Sequence, residues 1–328
     1  MRYINPFFKK NNKINLRDIL KILNIRNLKF KNIKVNDIKD LDQASKYDIT
    51  FLNSVKYIDI ANKTKSHIII TNNKCKSLIK NKCTLVVVDN VFLAVAKVAK
   101  LFYPESLDDT YDDKVEIVDK KKFKKIKLGK NVLIGKNVKI GKNCFIGHNS
   151  IIESNVKIGN NCIIGSNVII KKTIIEDNVN ILDGSIIGKK GFGFFPGKNV
   201  NIRYPHIGMV IIKKNVEIGC NNTIDRGSMS NTVIGENTFL DNQVHIAHNV
   251  KIGKNCIIAG QVGIAGSSIL GDKVIIGGQA GISGHIKIGD NVQIGGGSGV
   301  IKNIYDNSKV MGYPAKDIKS FIKDNKNG

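Results

Sequence analysis

The 328-residue chain contains no tryptophan, only five prolines, and aromatic side chains at just 6 % of its positions. A core built on large rings is therefore excluded, and few sites forbid backbone pairing. Arginine is scarce as well: five of the 52 basic residues are Arg, and the lysines are dispersed rather than interleaved with aromatics. That pattern argues against a nucleic-acid partner, which would use the bidentate Arg fork. Acids number only 27, so the formal charge is +25. Such a surplus draws acidic partners and allows at most peripheral membrane contact. No apolar run reaches the ~18 residues of a membrane span, because Asp89 interrupts the strongest one, Leu85 to Ala96, and Lys97 ends it. The first residues lack the apolar segment of a secretory signal, and a cytoplasmic location is expected. Six cysteines occur without a CxxC spacing, so neither a metal site nor a small disulfide framework is expected.

What the chain has instead is aliphatic residues at a fixed interval. From Leu128 one recurs every six positions: Ile134, Ile140, Ile146, Ile152, Ile158, Ile164 and Ile170. A second frame runs through Ile175, Ile181 and Ile187, a third through Ile212, Ile218 and Ile224, and the longest from Ile234 to Val300. A period of six fits neither an amphipathic helix nor a lone strand. It fits a coil with three short sides, in which eighteen residues complete a turn. Glycine usually follows the aliphatic, and a small or β-branched residue stands four places on, as at Val132, Cys144, Val156, Cys162 and Val168. Both sets should point inward, which makes Cys144, Cys162 and Cys256 core filling. Asparagine three places after the aliphatic, from Asn131 to Asn167, suits the left-handed backbone of a tight corner. Coils spaced ~4.8 Å apart would build a prism on the order of 40 Å long.

The first hundred residues read differently. A helical pattern spans Leu16–Leu23, strands are expected near Ile49–Leu52, Ile68–Thr71 and Leu85–Val88, and a helix over Phe92–Phe102. The expected organisation is an α/β domain over 1–105, a linker over 106–125, the coil domain over 126–305 and a helical tail over 306–328.

Within the repeats stand GFGF at Gly191–Phe194, VEIG at Val216–Gly219, TIDRG at Thr223–Gly227, DNQVHIAHN at Asp241–Asn249 and GISGH at Gly281–His285, with FLNSVKY at Phe51–Tyr57 ahead of them. Together, and in this order, they resemble the UDP-3-O-acylglucosamine N-acyltransferases, hexapeptide-repeat enzymes of lipid A synthesis. The resemblance implies a mainly β fold: a left-handed parallel β-helix with a small N-terminal α/β domain and a short C-terminal helix. It further implies transfer of a 3-hydroxyacyl chain from acyl carrier protein to the 2-amine of UDP-3-O-acylglucosamine by a homotrimer. No bound cofactor is needed, since the carrier's phosphopantetheine brings the acyl group. The same resemblance assigns uridine binding to the first domain, with Phe51 stacking, Tyr57 hydrogen bonding and Lys56 meeting the pyrophosphate. It makes His248 the general base and places His285 near substrate phosphates. In the family, tails longer than the one after Asp306 help to dock the carrier.

Moving an acyl group from a thioester to an amine needs a base and a donor for the oxyanion. Gly266 lies one eighteen-residue turn above His248, and the resemblance makes its amide the oxyanion donor. Two carboxylates compete to orient His248: Asp225, one coil below, and Asp241, at the preceding corner, which could face His248 of a neighbouring chain. The DNQ motif favours Asp241, with Asn242 as a positioning amide. Phe192 and Phe194, on a loop expected over Lys189–Met209, should wall the acyl or sugar pocket. Glycines at 295, 296, 297 and 299 could leave a groove for the acyl tail. Two rivals remain: a zinc enzyme of carbonic anhydrase type on the same fold, for which His245 and His248 would be ligands, and a non-enzymatic β-helical binding protein.

Overall fold

The structure, a computed structural model, describes residues 5–26, 31–107, 110–118, 125–195 and 201–326. Two compact units emerge. One comprises Met1–Asp108, Gly193–Ile207 and Ser228–Ser230; the other comprises Asp109–Phe192, Gly208–Gly227 and Asn231–Gly328.

The first unit is a three-stranded parallel sheet in the order Ile49–Leu52, Ile68–Thr71, Thr84–Val87. Its helices are α1 (Leu16–Ile22), α2 (Ile58–Lys63), α3 (Asn73–Lys76) and α4 (Val91–Phe102). α1 starts where Asn15 and Asp18 form a reciprocal capping box. α4 starts at Asn90, whose side chain accepts the Leu93 N–H at 2.9 Å. Val91, Ala94, Val95, Val98, Ala99 and Phe102 recur at helical spacing and are buried against Ile49, Ile68 and Ile70. The third strand and α4 each begin one residue before their expected starts. Residues 193–207 also belong to this unit as an antiparallel hairpin, Phe194–Phe195 with Ile202–Arg203. Gly193 is needed there because a Cβ would stand 2.6 Å from the His206 ring.

The second unit is the coiled column, a left-handed parallel β-helix. Its strands stack into three sheets, here faces I, II and III in the order the chain visits them. Face I begins at Ile126–Leu128, face II at Leu133–Ile134, edged by antiparallel Glu116–Ile117 from the expected linker, and face III at Lys139–Ile140. The hexad aliphatics point inward and are buried from Ile146 to Val300, each stabilising by roughly 1.5–3 kcal/mol. Asn131, Asn137 and Asn143 turn the corners at φ of 54°, 59° and 58°. Their amides also ladder between coils, as from Asn131 to Asn149 at 3.2 Å. The first change of frame is one residue lost at a corner, where Lys172 takes the left-handed turn at φ 43°. The expected interruption at Lys189 starts later. The strand Ile186–Lys190 runs on over a bulge at Gly188, pairing Lys189 with Asp225 and Lys190 with Arg226. In the tail expected to be helical over 306–328, Lys309–Met311 and Lys316–Asp317 are strands, and the helix α5 covers only Ile318–Lys326.

Candidate active site

His248 stands on the corner after face II. Ile246 points into the core, and the chain turns through Ala247 and His248 to Asn249, which adopts φ 64°. Asn249 Oδ1 lies 2.9 Å from His248 Nδ1. Residues 245 and 246 pair in register with 263 and 264, so Gly266 lies directly above His248. A Cβ on Gly266 would stand 2.6 Å from Cε1 and 2.7 Å from Nε2 of the imidazole. The ring fills the side-chain space of residue 266, and only glycine admits it.

The same corner position explains why the amide above stays open. At many corners of the column, the N–H two residues after the inward aliphatic is capped by a side chain from the coil above. Ser154 Oγ accepts from Lys136 at 2.9 Å, Asn160 Oδ1 from Lys142 at 2.9 Å and Asp272 Oδ1 from Lys254 at 2.8 Å. Above Gly266 comes Gly284, which has nothing to offer. Among the described residues no acceptor takes the Gly266 N–H, although its carbonyl accepts from His285 N at 3.1 Å. An imidazole and an unengaged amide donor therefore occupy one corner on successive coils. That pair can accept a proton and stabilise a developing oxyanion.

A second cluster flanks the first. His245, on the face II strand, has its Nδ1 2.7 Å from Thr223 Oγ1 and its Nε2 4.0 Å from Asp225 Oδ2. Asp225 is only 1 % exposed, and Lys189 Nζ stands 3.4 Å from its Oδ1. Burial pushes the Asp225 carboxyl above the usual carboxylate range, opposed by Lys189, His245 and His248. The Thr223 contact is not legible from the eighteen-residue turn, because the excursion after Arg226 sets the two residues 22 apart.

The other sequence-derived candidates are distributed around the two units. Asp241 is exposed on the preceding corner, its Oδ2 3.1 Å from where a Gly260 Cβ would stand. Asn242 Oδ1 caps the Cys220 N–H at 2.7 Å. His285 shares the His248 corner column, two coils up, in the left-handed conformation at φ 60°. Phe192 is 75 % exposed, and Phe194 lies in the hairpin of the first unit. Phe51 is partly buried on its strand against the α/β core, and Tyr57 packs on the smaller cluster around Ala61. Lys56 holds its ammonium 5.8 Å from the Tyr57 ring centre.

The glycine run is open as expected only at Gly297, where a Cβ would meet nothing within 4 Å. Gly299 is covered: a Cβ there would stand 2.0 Å from the Tyr313 ring, and one on Gly295 would meet Met311. The open positions on face II are Gly263 and Gly281, one and two coils above His245. Cys144, Cys162 and Cys256 are buried core residues of the column, whereas Cys220 is half-buried on a corner. Cys144 Sγ donates to Gly159 O at 3.1 Å; the neighbouring Cys144 thiol and burial push Cys162 up, and burial pushes Cys256 up. Among the described residues, no three His, Cys, Asp or Glu side chains converge as metal ligands, and no helix is long and apolar enough to cross a membrane.

Residues 32–101 match the family described as UDP-3-O-(3-hydroxymyristoyl) glucosamine N-acyltransferase, LpxD, and residues 137–172 and 231–266 match bacterial transferase hexapeptide repeats. Proteins named UDP-3-O-acylglucosamine N-acyltransferase from Rhizobium johnstonii and Rhizobium rhizogenes are 60 % and 58 % identical to it over 65 residues. Those residues are 20 % of this chain and span only 18 % of the length of these relatives. A UDP-N-acetylglucosamine acyltransferase from Campylobacter jejuni superposes with a TM-score of 0.52 at 27 % identity, over 58 % of this chain and 73 % of that one. The enzyme of that name from Francisella novicida gives 0.53 at 24 % identity, over 60 % and 73 %, and supports the fold alone. The LpxD-family match thus falls on the α/β region, and the hexapeptide match includes His248 and Gly266.

Proposed function

We propose that the chain transfers an acyl group, of the 3-hydroxyacyl class, from the thioester of acyl carrier protein to the 2-amine of UDP-3-O-acylglucosamine in lipid A synthesis. The observation that carries this reading is the His248 imidazole set beneath the unengaged Gly266 amide, in a chain with an LpxD-family domain. The substrate amine attacks the thioester carbonyl, and His248 Nε2 takes the amine proton. The Gly266 N–H binds the oxyanion of the tetrahedral intermediate. Collapse forms the amide and expels the carrier thiolate, which takes the proton back from His248. No bound cofactor enters this sequence, and the cytosol is its proposed site.

Phe51, Lys56 and Tyr57 are the proposed uridine diphosphate contacts, and Asn242 and His285 position the acceptor. Phe192 and Phe194 line the sugar or acyl path. A homotrimer belongs to the same reading. Face I supports it with an exposed in-register ridge of Phe239, Ile257 and Ile275, continued lower down by Phe145 and Ile163. Such a ridge suits burial against a sister column, and exposed Asp241 would then be available to the neighbour's His248. The test is His248→Ala assayed with carrier-loaded donors of several lengths, beside sedimentation of the intact chain. Activity near that of the unaltered chain would remove the base, and a fully active monomer would remove the shared site.

A further inference from the structure

The outward residues of face II stack in register, and their chemistry changes along the column. From Leu133 through Ile151 and Ile169 to Ile186 they are half-buried aliphatics. Above His245 they are the bare Gly263 and Gly281. Between these stretches stand Thr223 and His245, paired on adjacent coils. The polar step of this face therefore falls on the coil that carries His248.

A buried carboxylate is built against the His245 ring. Gly188, at φ 83°, makes a bulge that a side chain would forbid, since a Cβ there would collide with the Lys171 carbonyl. The bulge pairs Lys189 with Asp225, and the Gly188 carbonyl accepts from buried Arg226 at 3.3 Å. Lys189 Nζ thus reaches Asp225 Oδ1 at 3.4 Å, and Asp225 Oδ2 faces His245 Nε2 at 4.0 Å. On the other side of the ring, Thr223 Oγ1 lies 2.7 Å from Nδ1.

These partners select the tautomer. With a proton on Nε2, the ring turns an N–H toward the carboxylate and accepts from the Thr223 hydroxyl. With Nδ1 alone protonated, a lone pair would face the carboxylate. A gap of 4.0 Å is too long for a hydrogen bond, so Asp225 orients this N–H by charge without consuming it. A half-exposed donor is thereby presented beside the His248 corner. A hydrocarbon chain has no use for such a donor, whereas the hydroxyl and ester oxygens of a sugar do.

We propose that the Nε2–H of His245 binds an oxygen of the acceptor sugar, with Asp225 and Lys189 as positioning residues that act through this ring. The sugar's role as acceptor rests on the acyl-transfer reading, while the N–H donor rests on the geometry of face II.

The test varies acceptor and acyl-carrier donor separately in steady-state kinetics, and titrates UDP-3-O-acylglucosamine by calorimetry with no donor present. His245→Ala should raise the acceptor KM and Kd by roughly three- to tenfold, with kcat and the donor KM little changed. His245→Gln keeps an N–H donor and should recover most of that loss. Asp225→Asn and Lys189→Gln should each raise the acceptor KM by roughly two- to threefold, and add nothing beside His245→Ala. A melting curve checks each fold, and Lys189→Gln at a half-exposed side chain serves if Asp225→Asn unfolds. An acceptor Kd unaltered by His245→Ala overturns the proposal. A fall in kcat alone does so too, because it would assign the ring to the reacting centre. Equal losses from Asp225→Asn with and without His245 overturn the positioning roles. Acceptor affinity that depends on His245 in a chain without transferase activity would overturn the acyl-transfer reading and support this site, and no acceptor binding at all would overturn both.

Discussion

His148 and His248 occupy the same place in the repeat, two residues after a buried isoleucine, yet their surroundings differ. His148 Nδ1 accepts the Lys130 N–H from the coil below at 2.8 Å, and its own N–H donates to Ser166 Oγ from the coil above at 3.2 Å. It is a cap that is itself capped. His248 has glycine above it and leans its ring into the space this leaves. A second glycine, at 284, leaves the Gly266 amide without an acceptor among the described residues. A repeat makes equivalent corners cheaply, and the missing side chains at Gly266 and Gly284 leave an imidazole beneath an uncapped amide, the pair proposed here as base and donor.

The comparison breaks most sharply at the two histidines. His248→Ala should lower kcat by about 10²–10⁴-fold with the fold intact by circular dichroism. His148→Ala should leave kcat unchanged and cost stability on the order of 1 kcal/mol, read by denaturant unfolding, because one cap is lost. Comparable activity losses in both would mean that the corners are not functionally distinct.

Restoring a cap is the next largest change. Gly284→Ser places a hydroxyl over the Gly266 amide as Ser154 lies over Lys136, and kcat should fall by roughly 10²-fold with KM little altered. The nearest atom to the new Cβ is the Gly266 carbonyl at 3.0 Å, so steady-state kinetics should be paired with a melting curve. Unaltered kcat in a folded variant would show that this amide is not the donor.

A smaller effect is expected higher on face II. Gly281→Met fills a position where a Cβ meets nothing within 4 Å, and the new side chain should shorten the preferred acyl donor by a few carbons. A competition assay across donor lengths reads this directly, and an unchanged profile would show that acyl chains do not extend to this open glycine.

The smallest effect concerns Asp225, whose carboxyl binds its proton more tightly folded than unfolded because it is buried. The unfolded chain therefore holds fewer protons through that interval, and folding stability contributed by this group falls as pH rises from the ordinary carboxylate pKa through the raised one. Asp225→Asn should flatten that segment of the unfolding free energy against pH. An unchanged slope would mean that Lys189 and His245 compensate the buried charge fully.

Much of this was legible without coordinates. The hexad from Leu128 to Val300 located the inward residues, and the eighteen-residue offset from His248 to Gly266 survives in three dimensions because no residue is inserted between them. The corner asparagines take the left-handed conformation that their chemistry permits. Legibility fails where the count is disturbed. The bulge at Gly188 carries the strand through Lys190, and the excursion before Met209 assigns residues 193–207 to the α/β unit. The Thr223 and His245 contact lies across an irregular spacing. The cover on Gly299 comes from a tyrosine beyond the last regular hexad, which periodicity does not reach.

The amino-acid order alone determined the winding: a six-residue period with buried aliphatics and left-handed asparagine corners has one economical solution, three short sides stacked at strand spacing. It also determined which imidazole lies beneath which glycine, since register in a coil follows from counting. Only the tertiary structure decided which amide is left without a cap, which carboxylate is buried beside which cation, and which glycines are truly bare. Those properties depend on side chains arriving from neighbouring coils and from the tail, and hydrogen-bond geometry and burial are set by such arrivals rather than by any local stretch of chain.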